Sequence, residues 1–265
     1  MACNLEIKNV TSENVDDLIN LCIPPGMEDN PLFIKGAEMK KKWALHNIEK
    51  YRCIAKLAYV GSKPAGLIQY VSIPEEKVVE ITCIFVPEEK NLRKGIGRAL
   101  FKALLEDMRK PKPFFDNDAP SAFITWAFQV PRRYPQHEFF RKMGFKRVEK
   151  DNPFFLYYPL KPGYVYRPKE EKFISLEEDE GKALIFMDYS CPFSVYFMEK
   201  IKELIREVAP DIPIRVINML EEPEEVKKRG KVTFCVVNKK PIKTFFGNKK
   251  AFQNEVKEAL GGSNS

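Results

Sequence analysis

Apolar and polar positions alternate from Leu5 to Val10, as expected of a strand with one buried face. Ser12 opens a capped helix that sets Val15, Leu18, Ile19 and Cys22 on one side. A loop rich in proline and glycine, Pro24 to Pro31, leads to a second helix predicted around Ala37 to Tyr51. Three extended apolar segments follow: Arg52 to Val60, Gly66 to Val71 and Val78 to Val86. The turn signals Gly61 to Pro64 and Ile73 to Lys77 separate them, and a meander is the simplest arrangement.

Further on, Lys161 to Lys172 combines two prolines, a glycine and dense charge, and the acidic run Glu177 to Glu180 follows it. That composition reads as a linker. Beyond it the pattern predicts a buried strand at Lys182 to Tyr189 and an amphipathic helix at Phe193 to Val208, with Phe197, Ile201, Leu204 and Ile205 on its apolar side. A strand at Ile212 to Leu220, a charged helix at Glu221 to Arg229, a hairpin of Val232 to Asn238 with Ile242 to Phe246, and a helix at Lys249 to Leu260 complete a βαβαββα order. The hairpin turn is expected at Lys239 to Pro241, and Gly261 to Ser265 as a frayed tail. The expected organisation is therefore an α/β (α+β) chain with one domain over 1–163, a linker over 164–181 and a smaller domain over 182–260.

Composition narrows the function classes. The 265 residues are enough for two modest cores, and 44% hydrophobic with 31% charged residues is the balance of a globular protein. There is no run of about 18 apolar residues, and the first residues lack the apolar core of a signal peptide, so a cytoplasmic protein without a membrane partner is expected. The six cysteines lack paired ligand spacing and there are two histidines, His46 and His137; no metal site and no disulfide framework is expected. The net charge of +7 comes from short clusters (Lys40 to Lys42, Arg132 and Arg133, Lys227 to Arg229) among interleaved acids. This argues against a nucleic-acid partner and suits a phosphate-rich cosubstrate. Oligomeric state is left open.

The most informative stretch runs from Val78 to Met108. A strand gives way to a basic turn with Gly95 and Gly97, and then to a helix with Leu100, Leu104 and Met108 on one stripe. Glycines there let the backbone approach a ligand closely, and the free amides and dipole of a helix start attract anions. A P-loop and a dinucleotide fingerprint both fail, the first for want of Gly-Lys-Ser/Thr, the second because Leu100 stands where a small residue is needed. The turn Leu92-Arg93-Lys94-Gly95-Ile96-Gly97, followed by Arg98, resembles the pyrophosphate motif of the GNAT acyltransferase superfamily, with Leu92 in place of its usual Gln or Arg. A second landmark, Gln136 to Val148 with Met143-Gly144-Phe145, resembles that family's short helix before the final strand. The resemblance spans roughly Leu5 to Leu160. It implies a mixed-sheet fold, acetyl-coenzyme A as cosubstrate held by the backbone of Leu92 to Arg98, a strand Ile84-Phe85-Val86 that splays to bond the pantetheine, and transfer to a small-molecule or peptide amine by direct attack.

Such transfer needs a deprotonated amine, a polarised thioester carbonyl and a proton for the leaving thiolate. The family's usual tyrosine acid corresponds to Phe140, so Tyr134 and His137 are the nearby substitutes, and Glu80 is the candidate base. Phe140 is also the feature that would favour a noncatalytic acyl-coenzyme A sensor or thiol-binding module. Trp126 and Tyr157, among several aromatics expected mostly in the core, are candidates to line an acceptor pocket.

The second half, with Cys191-Pro192-Phe193-Ser194 at a strand-to-helix junction, resembles the thioredoxin fold and the one-cysteine sites of glutaredoxins, with Val232 where that fold usually has a proline. The combination is similar to YoaP-like acetyltransferases. It implies either that Cys191, at a helix start, is the most reactive thiol, or that the module is inert in thiol chemistry and binds, presents or gates the acceptor.

Overall fold

The computed structural model describes residues 5–128, 134–169 and 172–261. Cys3, Pro131, the Arg132 and Arg133 pair and the tail 262–265 lie outside the described residues. The chain divides into two compact units: residues 1–22 with 44–168, and residues 23–43 with 169–265. No described helix is long and apolar enough to cross a membrane.

The elements of the first unit are β1 (Leu5–Asn9), α1 (Val15–Asn20), the end of α2 (Pro31–Tyr51), β2 (Ala55–Val60), β3 (Lys63–Ile73), β4 (Val78–Phe85), α3 (Ile96–Met108), β5 (Ala122–Trp126), α4 (Gln136–Lys142), β6 (Lys146–Arg147) and β7 (Phe155–Pro159). They build a seven-stranded sheet in the order β1-β2-β3-β4-β5-β7-β6. Strands β2, β3 and β4 form the expected antiparallel meander, β1 extends it by pairing antiparallel with β2, and β4 pairs with β5 in parallel. Because strand side chains alternate, β4 divides its apolar residues between two cores. Val79 and Ile81 join Leu100, Phe101, Leu104 and Met108 of α3, together with Phe140 and Phe145. Val78 joins Ile124, Phe155, Tyr157 and Tyr166 on the opposite face.

Helix α2 begins at Pro31, six residues before the predicted start. The Asn30 side chain accepts the N–H of Leu32 at 2.9 Å, and proline suits a first helical position, so the residues read as loop are a helix start. Gly36 inside this helix has a packing reason within the second unit. A Cβ there would stand 1.9 Å from the Pro192 carbonyl oxygen, while neighbouring Phe33 meets Phe193 edge-on at 4.9 Å.

The second unit adds β8 (Ala183–Met187), α5 (Phe193–Arg206), β9 (Ile214–Asn218), α6 (Pro223–Lys228), β10 (Cys235–Val237), β11 (Lys240–Pro241) and α7 (Lys249–Ala259). Its sheet has the order β11-β10-β8-β9, with β8 and β9 parallel and β10 antiparallel to β8. The second hairpin strand is not Ile242 to Phe246. Asn238 and Lys239 both take positive φ, 46° and 65°, which is the geometry of a two-residue hairpin turn and places the return strand at Lys240–Pro241. The amides of Lys243 and Thr244 then bond the Glu255 carboxylate, each at 2.8 Å, instead of a strand. Arg229, the last residue of the basic cluster Lys227 to Arg229, is fully buried. Its guanidinium is held by Asp179, Glu178 and Glu225, two of them from the acidic run ahead of β8.

Candidate active site

Strands β4 and β5 are paired only over Val78 to Glu80 and Ala122 to Ile124. Beyond Glu80 they part. Thr82 is an extra residue in β4, since Gln69 faces Cys83 while Tyr70 faces Ile81, and such a bulge bends and twists the strand locally. Two side chains take over carbonyls in the parted stretch: Thr125 Oγ1 donates to the Ile81 oxygen at 2.8 Å and Gln136 Nε2 to the Ile84 oxygen at 3.4 Å.

A cleft of about 150 Å³ opens at this end of β4, lined by Ile84, Phe85, Val86, Leu92, Gly97, Tyr134, Gln136 and Phe139. Its floor meets the start of α3. Arg93 and Gly95 both have positive φ, 60° and 82°, and no side chain caps the first turn, so the amides that open the helix lack a side-chain acceptor. Arg93, Lys94 and Arg98 are exposed around that turn, whereas the Ile96 side chain is buried in the core and offers only its backbone. A Cβ at Gly95 would meet no atom within 4 Å, while a Cβ at Gly97 would stand 3.2 Å from the Phe139 ring, so one glycine serves conformation and the other close packing.

The candidate acids separate. Tyr134 lines the cleft, half exposed, and its hydroxyl oxygen accepts a hydrogen bond from Lys142 Nζ at 2.6 Å. His137 does not line it. That ring lies edge-on to Phe154 at 5.2 Å, with Nδ1 buried and unbonded and Nε2 3.6 Å from Glu138. Phe140 is wholly buried against Phe139 and Phe145. Glu80 is half-buried in β4 between Val71 and Ile124, four residues before Ile84 and outside the cleft lining. Tyr157 is core, but Trp126 is not: half its surface is exposed, and its ring stacks on Phe155 at 4.5 Å and 6°. Cys191 belongs to the second unit and is exposed.

Gln136, Phe139 and Thr125 escaped the sequence reading as site residues. Helical spacing holds the only available signal, because residues three apart share a face and Gln136 and Phe139 therefore turn together toward β4.

Residues 26–145 match the model of the acetyltransferase (GNAT) family. Most of that match, residues 44–145, lies in the first unit. Among solved structures, the chain is similar to PaiA N-acetyltransferase from Thermoplasma acidophilum in complex with coenzyme A, with 15% identity, 59% of this chain and 99% of that chain covered, and a TM-score of 0.42. It is also similar to an N-acetyltransferase from Staphylococcus aureus (13% identity, 60% and 99% covered, TM-score 0.42). A GNAT family acetyltransferase from Brucella melitensis in complex with acetyl-CoA gives 13% identity, 60% and 90% covered and a TM-score of 0.40. No curated protein matches the chain. In the first unit the parted strands, the glycine turn and α4 converge on one cleft.

Proposed function

We propose that the GNAT domain is an N-acetyltransferase that moves acetyl from acetyl-coenzyme A to an amine by direct attack. The observation that carries this reading is the cleft where β4 leaves β5, ending at an uncapped helix start ringed by Arg93, Lys94 and Arg98. An anionic pyrophosphate fits that turn, because helix-start amides and the helix dipole favour negative charge. The apolar walls of Ile84, Phe85 and Val86 fit the pantetheine arm. Acetyl-coenzyme A supplies an acyl group already activated as a thioester.

The chain's own contribution is orientation and proton handling. Glu80 takes a proton from the acceptor ammonium, through water, so that the nitrogen lone pair is free. The nitrogen then bonds to the acetyl carbon, the carbon–sulfur bond breaks, and the second nitrogen proton is lost as the sulfur gains one. Tyr134 is the residue that supplies the sulfur's proton. Since its oxygen already accepts from Lys142, its own O–H is directed elsewhere as a donor.

The experiment is incubation of the full chain with acetyl-coenzyme A and a panel of amines, thiols and peptides, with acetylated product read by mass spectrometry. Calorimetry of Gly95→Trp completes it. The indole fills the open space at the turn, and affinity for acetyl-coenzyme A drops by about tenfold or more, while Gly95→Ala separates the backbone cost of positive φ, about 1–2 kcal/mol, from the blocking effect. Unchanged affinity in a folded Gly95→Trp protein removes the site.

We read the second unit as thioredoxin-like, of the YoaP-like kind. Its βαβαββα order, the sheet order β11-β10-β8-β9 and an exposed Cys191 ahead of α5 support this. The partner position in Cys191-Pro192-Phe193-Ser194 is a serine whose hydroxyl donates to the Asp188 carbonyl at 2.6 Å, so the chemistry available is that of a single thiol.

A further inference from the structure

Lys142 ends α4 and is turned away from its own helix. Four residues after Glu138, it stands where an ion pair would form along a helix surface, yet that carboxylate goes to Arg141 Nη1 at 2.9 Å and lies 3.6 Å from His137 Nε2. Lys142 Nζ donates instead to the Tyr134 hydroxyl at 2.6 Å, 5.1 Å from the centre of that ring. It makes no ion pair among the described residues, so its full positive charge is directed at a neutral phenol.

The phenol it holds is the one that matters in the cleft. Of the side chains lining it, only that of Tyr134 carries an O–H that can be given up. Phe139, three residues before Lys142 on α4, lines the same cleft, and Phe140 beside it is wholly buried. The helix is thereby anchored with its last residue next to Tyr134. Phe140 serves the core alone, so an acid that reaches the cleft from outside α4 needs its own support. A phenol that gives its proton to a thiolate becomes a phenolate, and an ammonium already placed on the oxygen stabilises that charge as it develops.

We infer that Lys142 is a positioning residue for acetyl transfer, whose ammonium holds the Tyr134 oxygen and stabilises the phenolate left when Tyr134 protonates the leaving sulfur. This rests on the acetyl-transfer reading above. In the step, the Tyr134 O–H bond breaks and an S–H bond forms on coenzyme A. The phenolate, half exposed, then takes a proton from water, and water receives the one lost by the acceptor nitrogen. Lys142 keeps its three hydrogens throughout.

The test is a double-mutant cycle in the full chain, with n-butylamine, aminobutyrate and a lysine-containing peptide as acceptors and thiol release as the readout. Tyr134→Phe should lower kcat about a hundredfold. Lys142→Met should lower kcat about tenfold and leave the KM and the calorimetric affinity for acetyl-coenzyme A within about twofold of the wild type. Lys142→Arg should keep most of kcat, because a guanidinium also donates and stays charged. The double variant Tyr134→Phe with Lys142→Met should be no slower than Tyr134→Phe, since Lys142 acts through the hydroxyl that is already gone. Losses that add in the double variant, an arginine variant as slow as the methionine one, or an unchanged kcat in Lys142→Met overturns the inference. So does a loss that appears in acetyl-coenzyme A affinity, which would make Lys142 a cosubstrate contact. Failure of the acetyl-transfer reading looks different: the unaltered protein acetylates none of the acceptors.

Discussion

Arg229 and Asp179 form a bidentate pair, with Nε to Oδ2 at 2.8 Å and Nη2 to Oδ1 at 2.7 Å, and almost nothing of either side chain reaches solvent. Glu178 and Glu225, with the Glu225 carbonyl, take the remaining guanidinium hydrogens, so the buried charge is fully satisfied. Arg229→Ala strands a buried carboxylate and should cost the second unit about 3–5 kcal/mol. The double replacement Arg229→Met with Asp179→Leu should cost less, because it removes both charges together. Urea unfolding of the two variants decides it, and equal losses would count against the account.

Asp107 ties Lys56 and Lys112 to the end of α3, at 3.0 and 2.7 Å. Burial would raise its carboxyl, but the hydrogen bonds from Lys112 and Lys56 outweigh burial and hold it below the ordinary carboxylate value. A group depressed on folding stabilises above its unfolded pKa, about 3.9, and that stability is lost as pH falls through the folded value. Melting temperature followed downward from pH 5 should therefore fall more steeply for the wild type than for Asp107→Asn. At neutral pH the variant should already be weaker by about 1–3 kcal/mol, since Lys56 is left nearly buried with less compensation.

Glu80→Gln removes the proposed base and keeps the shape of the side chain. Turnover should drop about a hundredfold, and most at low pH, where amine deprotonation is hardest. An unaltered pH–rate profile would take Glu80 out of the mechanism.

Cys191 should alkylate first among the described cysteines. It is exposed at the start of α5, where free amides favour thiolate. Cys235 should be last, because burial pushes its thiol upward and shields it. Iodoacetamide labelling under native conditions, read by peptide mass spectrometry, gives the order. Cys191 labelling no faster than half-buried Cys83 would end the idea.

Helix α3 was legible because its apolar stripe, Leu100, Leu104 and Met108, is a local pattern that packing left intact. The Asn238 and Lys239 turn was not, since it contains no glycine and its positive φ values are imposed by the strands it joins. Arg229 looked like surface because its partners Glu178 and Asp179 lie about fifty residues away in the chain, a distance at which no periodicity reports a contact. Trp126 stands among aromatics expected mostly in the core, with an acceptor pocket as its alternative. Its position at the last residue of β5, where the sheet has already opened, is a tertiary fact.

The opened stretch between β4 and β5 is a pair of strand edges in the interior of a sheet, and such edges invite any passing chain to zip onto them. Thr125 and Gln136 each claim one carbonyl of β4 without supplying a strand. The gap is thereby kept from closing on itself and is made a poor template for a foreign peptide. What can still enter is a slender molecule that brings its own amides. On this view the two side chains act as a guard, and Thr125→Val should betray their loss first as aggregation on storage, before any effect on catalysis.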